Sequence, residues 1–138
     1  MHKNREEEIQ IQLAQYLAIA YPDILFHSDI GSGVRLPIKL AKKAKDLNDG
    51  RRGWPDLFIA KPIWDKNKNI DYCGLFIELK AEGIKLKKKN GEWTKEHFAE
   101  QAAVLEELRK AGYKAEFAIG FFEAKNLIDE YLGRRGSK

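Results

Sequence analysis

Asp56, Glu78 and Lys80 are spaced for phosphate chemistry. Side chains alternate along a strand. In Leu75-Phe76-Ile77-Glu78-Leu79-Lys80, therefore, Leu75, Ile77 and Leu79 share one face while Glu78 and Lys80 share the other. Upstream, Gly53-Trp54-Pro55-Asp56 opens a second apolar run, Leu57-Phe58-Ile59-Ala60. If the two runs pair side by side, Asp56, Glu78 and Lys80 converge on one edge. Two carboxylates suit Mg²⁺, with the carbonyl of Leu79 as a further oxygen ligand and water and phosphate completing the shell. Lys80 is then placed to orient the attacking water and to offset charge building on the phosphate. Such a site hydrolyses phosphodiesters.

Each signal has an ordinary alternative. A Glu-x-Lys on a strand is commonly a solvent-facing ion pair that helps sheet pairing, and Pro-Asp at a strand start is commonly a turn. The conjunction is more specific than its parts, because the Glu-x-Lys strand is otherwise strongly apolar and a third acid lies elsewhere on an inward face. That acid is Glu6, on a helix predicted from Lys3 to Ala20. Ile9, Leu13, Tyr16, Leu17 and Ala20 form its buried stripe, and Glu6 and Gln10 fall on the same stripe. A buried carboxylate needs a partner; in a frayed first turn it would only favour the helix dipole. Three consecutive glutamates leave the acid open among Glu6, Glu7 and Glu8.

The elements that must position these groups read in order. Tyr21-Pro22 ends the first helix, Ile24 to His27 is a short strand, and Gly31-Ser32-Gly33 is a loop. That loop lacks the Lys-Ser/Thr ending of a P-loop and the surroundings of a dinucleotide fingerprint, so no nucleotide cofactor is expected. A helix from Pro37 to Asn48, closed by Gly50, carries a narrow apolar face of Ile38, Ala41, Ala44 and Leu47. Strands at Asp56 to Ala60 and Cys73 to Lys80 are joined by a polar stretch from Trp64 to Asp71, with Cys73 a small buried hydrophobe at the strand entry. Thr94 is placed to cap a helix ending at Ala111 and Gly112, whose stripe is Phe98, Ala102, Leu105 and Leu108 with Gln101 beside it. A strand from Lys114 to Gly120 and a helix from Glu123 to Leu132 follow, then a disordered tail from Arg134 to Lys138. The order α, β, α, β, β, α, β, α predicts an α/β domain over residues 1–133, with helices flanking a mixed, roughly four-stranded sheet.

Composition narrows the partner. The 138 residues are 43% hydrophobic and 33% charged, with no apolar run long enough for a membrane span and no secretory signal at the charged start. A single cysteine excludes an internal disulfide, three scattered histidines give no zinc cluster, and the cytoplasm is the default compartment. The net charge is +4, with a pI near 9.1. Lys39, Lys42, Lys43, Lys45, Arg51 and Arg52 cluster on one side of the carboxylate pair. Lys85, Lys87, Lys88, Lys89 and Lys95 cluster on the other. Either cluster alone reads as a solvated surface; the two together point to a polyanion, with Lys39, Lys42, Lys43, Arg51, Arg52, Lys87, Lys88 and Lys89 as candidate DNA contacts.

These residues resemble the VRR-NUC family of the PD-(D/E)xK nuclease superfamily, in the short stand-alone form associated with phages. The resemblance is carried by Glu6-x-x-Ile9-Gln10, Gly53-Trp54-Pro55-Asp56-Leu57, Ile77-Glu78-Leu79-Lys80, and Gln101 ahead of Gly112-Tyr113, and it covers about Glu6 to Leu132. It implies a restriction-endonuclease-like αβββαβ core and a Mg²⁺ or Mn²⁺ site. Asp56 and Glu78 become metal ligands, Lys80 the catalytic lysine, Glu6 the helix-one acid and Gln101 a supporting residue. The implied activity is endonucleolytic hydrolysis of DNA, leaving 5′-phosphate and 3′-hydroxyl ends, with selectivity for branched or four-way junctions and action as a homodimer in a bacterial or phage-infected cell. An inactive nucleic-acid-binding module of the same fold and an RNA-processing nuclease are the rival expectations. The stretch from Glu82 to His97 departs from the family in being longer and richer in lysine.

Overall fold

The computed structural model describes residues 5–29, 37–47 and 53–133. The expectations for Gly31-Ser32-Gly33, Gly50, Arg51, Arg52 and the tail from Arg134 to Lys138 fall outside these residues. Four strands form the main sheet: β1 (Phe26–Ser28), β2 (Leu57–Ile59), β5 (Leu75–Lys80) and β6 (Lys114–Ile119), in the order β1-β2-β5-β6. The pairs β1–β2 and β2–β5 are antiparallel and β5–β6 is parallel, so the sheet is mixed as expected.

Alternation along the strands divides the sheet into two faces. Leu57, Ile59, Leu75, Ile77 and Leu79 bury against α1 (Arg5–Ala20) through Ile9, Leu13 and Leu17. The same face packs on α4 (Phe121–Tyr131) through Ala124, Ile128 and Tyr131. An exposed Asp would do nothing for such a layer, but Asp129 of α4 is buried and fully engaged. The hydroxyls of Tyr16 and Tyr21 donate to its Oδ1 at 2.6 and 2.7 Å, and the Lys125 ammonium to its Oδ2 at 2.9 Å. Burial works against its charge, but these three donors outweigh it and hold the carboxyl below its ordinary value.

The opposite face carries Asp56, Phe58, Phe76, Glu78 and Lys80. α3 (Glu96–Lys110) covers part of it with Phe98, Gln101, Val104, Leu105 and Leu108, so Gln101 lies on the buried stripe itself and Ala102 is only half-buried. The helix stops where expected: the N–H of Gly112 (φ +103°) donates to Arg109 O and that of Tyr113 to Leu108 O, each at 3.1 Å. This paired arrangement satisfies the last carbonyls and needs a residue tolerant of positive φ.

Several expectations are corrected. The polar stretch from Trp64 to Asp71 is part of a small hairpin, β3 (Ile63–Trp64) and β4 (Ile70–Tyr72), outside the main sheet. Asp65 organises its turn by accepting the N–H groups of Asn67 and Asn69. Thr94 does not cap α3; Lys95 occupies that position without a side-chain bond, and the Thr94 hydroxyl donates to Lys85 O at 2.6 Å. This closes a second small hairpin, bridged at Lys87 and Trp93, within the lysine-rich stretch from Glu82 to His97. Cys73 is exposed. α2 (Ile38–Leu47) forms as predicted, yet its apolar positions Ile38 and Leu47 are 89% and 76% exposed. No helix among the described residues is long and apolar enough to cross a membrane.

Candidate active site

β2 and β5 pair with Leu57 opposite Ile77, which sets Asp56 and Glu78 side by side just past the end of their ladder. The Leu79 N–H, with no β2 residue left to pair with, donates to Asp56 Oδ2 at 2.8 Å. The N–H and C=O of one strand residue point to the same side. The Lys80 carbonyl accepts from Gly120 on the β6 side, at 2.8 Å, so the Leu79 carbonyl faces the Asp56 edge. The main chain thus presents an oxygen beside the two carboxylates.

Asp56, Glu78, Lys80 and Gln101 are 6%, 1%, 2% and 5% exposed. Glu78 Oε2 lies 3.5 Å from the Lys80 ammonium and accepts from Gln101 Nε2 at 3.2 Å. The ammonium also sits 4.6 Å from the centre of the Phe98 ring, whose face favours a cation. Phe98 reads in the sequence as a core residue of α3; its contact with Lys80 emerges only from packing.

Burial, then the neighbouring Asp56, push the Glu78 carboxyl far above the ordinary carboxylate range, with Lys80 opposing. Asp56 is also raised, first by burial, against the pull of a hydrogen bond with the Glu78 carboxyl, then of the Leu79 N–H and Lys80. Glu6 is the third acid. It is half-buried at the start of α1 and raised by burial, with the Lys80 charge opposing and Asp56 adding to the rise. Lys80, Asp56 and Glu6 are thus within electrostatic reach of one another, while Glu7 is exposed.

Gln10, one turn on from Glu6, ties this corner together. Its amide donates to Ser28 Oγ at 2.8 Å, to the Asp29 carbonyl and, at 3.4 Å, to the Asp56 carbonyl. Gly53 does similar work from the other side. It adopts φ +86°, and a Cβ there would stand 3.1 Å from the Cα of Gln101. Of the proposed DNA contacts, Lys39, Lys42, Lys43, Lys87, Lys88 and Lys89 are all exposed.

The donor set fits a hard cation. Glu78 Oε1 and Gln101 Oε1 are buried and accept no hydrogen bond, a costly state for oxygens that lack a donor. No group of three or more His, Cys, Asp or Glu side chains is arranged around a metal position among the described residues. A cation here would therefore rely on two carboxylates supplemented by main-chain, amide and water oxygens, the pattern of Mg²⁺.

No protein-family model and no curated protein matches the chain. Among solved structures it is similar to a VRR_NUC domain protein, at a TM-score of 0.61 and 23% identity over 98% of this chain and 93% of that one. At this identity the likeness is one of fold alone.

Proposed function

We propose that the chain is a Mg²⁺- or Mn²⁺-dependent DNA endonuclease. The observation that carries this reading is the buried pair Asp56 and Glu78 beside Lys80, with the unpartnered Oε1 atoms of Glu78 and Gln101. Asp56, Glu78 and the Leu79 carbonyl would hold the cation. When bound, it would lower the pKa of a water and offset charge on the phosphate.

The chain's own residues supply the rest. Lys80, steadied by Glu78 and the Phe98 ring, places a positive charge where negative charge develops on the phosphate oxygens. Gln101 fixes the orientation of the Glu78 carboxylate. Glu6 adds a third carboxyl within electrostatic reach of Lys80 and Asp56 at the start of α1. The exposed Lys39, Lys42 and Lys43 of α2 and Lys87, Lys88 and Lys89 of the hairpin after β5 bind backbone phosphates. Selectivity for branched or four-way junctions, 5′-phosphate products and a homodimeric state belong to the same proposal.

Labelled DNA and RNA of matched sequence, incubated in parallel with Mg²⁺, Mn²⁺ or EDTA, provide the test. Cleavage of DNA that disappears in EDTA and in Glu78→Ala is expected. Binding without cleavage in either metal would leave a nucleic-acid-binding module, and a preference for RNA would move the substrate.

A further inference from the structure

The face that carries Asp56 and Glu78 is covered unevenly. α3 packs on its β6 side, while its β1–β2 half opens into a cavity of about 440 Å³ whose lining includes the rings of His27, Trp54, Phe58 and Phe76, the carboxylates of Asp29 and Asp56, and Leu47 at the end of α2. This volume lies within the roughly 300–1,000 Å³ of sites that hold small organic groups.

Register explains the lining. His27 is opposite Phe58 and Phe58 is opposite Phe76, so three rings from three strands stand in one cross-strand row. Phe58 stacks on Phe76 with centroids 4.4 Å apart, and Trp54 meets Phe76 edge-on at 6.2 Å. Gly74 leaves room for this, since a Cβ there would come within 2.8 Å of the Phe58 ring. The cluster is open to solvent on one side: Trp54 is 39% exposed, Phe58 and Phe76 are half-buried and His27 is exposed.

We propose that this cleft takes an unstacked nucleobase of the DNA strand being cut, so that an unpaired nucleotide beside the scissile phosphate is a determinant of the substrate. The inference rests on the nuclease reading for the identity of the strand and deepens it by naming what the strand must offer. Asp56 belongs to both the cleft lining and the carboxylate pair, so the cleft adjoins any phosphate the pair engages. Every base has a flat π-face that stacks on aromatic side chains whatever its identity. A base inside a duplex is already stacked on its neighbours and cannot enter; an unpaired one enters at little cost. Lys39, Lys42 and Lys43 are exposed on α2, the helix whose last residue, Leu47, lines the cleft, and they favour the polyanion that carries the base.

The probes are a duplex with 2-aminopurine in a one-nucleotide bulge and the same duplex with 2-aminopurine paired to thymine. Binding is followed in EDTA by anisotropy and by 2-aminopurine emission. The wild-type protein is expected to prefer the bulged duplex by about tenfold, the scale of base–aromatic stacking, and to quench its emission. Trp54→Ala should bring the preference close to one, Trp54→Phe should retain most of it, and Trp64→Ala, which alters an exposed tryptophan of the separate hairpin, should leave it intact. Equal binding of the two duplexes by the wild-type protein, or an undiminished preference in Trp54→Ala, overturns the proposal. Cleavage of the same duplexes in Mg²⁺ separates the two readings. A Trp54-dependent preference without cleavage supports the base site while refuting the nuclease, and cleavage without such a preference refutes the base site alone.

Discussion

The side-chain amide of Gln101, on α3, donates to Glu78 Oε2 on β5 at 3.2 Å, and the carboxylate accepts it without exposure to solvent. This bond holds one oxygen of Glu78 and leaves the other free to serve a cation. Gln101→Ala is expected to lower cleavage by about 10- to 100-fold, the usual cost of losing a residue that orients a ligand. A metal titration of the rate checks it: the loss should shrink at high Mg²⁺ if orientation of Glu78 is what the amide provides.

Asp56→Ala and Glu78→Ala should each abolish cleavage while DNA affinity stays within a few-fold, because phosphate contacts elsewhere carry the binding. Anisotropy with a labelled duplex measures the second half of that statement. Near-normal turnover in Glu78→Ala would refute the metal site.

Lys80→Met keeps most of the aliphatic stem against Phe98 and removes the charge. Turnover should fall by about two orders of magnitude or more, as for other electrostatic catalytic groups. An active variant would reduce the Glu78–Lys80 contact to a buried ion pair without a catalytic part.

How much of this was legible in the sequence depends on how far apart the participants lie. Asp56, Glu78 and Lys80 could be read because period-two alternation and a short gap between two apolar runs are local signals. Gln10 could not: it shows as a polar residue on an apolar stripe, and only the docking of α1 reveals the three acceptors at Ser28, Asp29 and Asp56. The row His27–Phe58–Phe76 was equally hidden, since each ring comes from a different strand and only the register aligns them. The hairpin from Ile63 to Tyr72 shows in the sequence only as a polar stretch, because its strands are two and three residues long and largely exposed, leaving no buried face to imprint a pattern. Thr94 misled for a related reason. A hydroxyl just ahead of a helix looks like a cap, but the Lys85 carbonyl across the hairpin claims it.

The hairpin after β5 refines the expectation for DNA binding. Lys87 lies over the Trp93 ring at 4.6 Å, whereas among the described residues no such ring contact engages Lys88 and Lys89 at the turn. Replacing Lys88 and Lys89 by alanine should reduce the slope of log affinity against log salt by about two, near one per phosphate contact. A salt titration of Glu78→Ala with and without the double change measures this. An unchanged slope would place the DNA away from the hairpin.

Asp129 gives a pH signature remote from the site. Its folded carboxyl is held below the ordinary value of 3.8, so between the two values the unfolded chain binds more protons and stability rises with pH. The contribution is present above pH 4 and is lost as acid titrates the folded carboxyl. Melting temperatures of the wild type and Asp129→Asn should therefore differ most near neutrality and converge as the pH falls below 4. A gap that persists in acid would assign the effect to packing.

Gly53 has a consequence for how the site tolerates change. Two unrelated barriers meet at that position: a backbone angle that other residues adopt at a cost, and a wall of helix backbone 3.1 Å from where a methyl group would sit. Relieving one leaves the other in force, so no single compensating substitution can open the position. Any side chain there acts as a wedge that lifts α3, and with it Gln101, off Glu78. The tolerance with which a cation can be gripped at β5 is thus set by an atom that the chain omits, twenty-five residues before the carboxylate it governs.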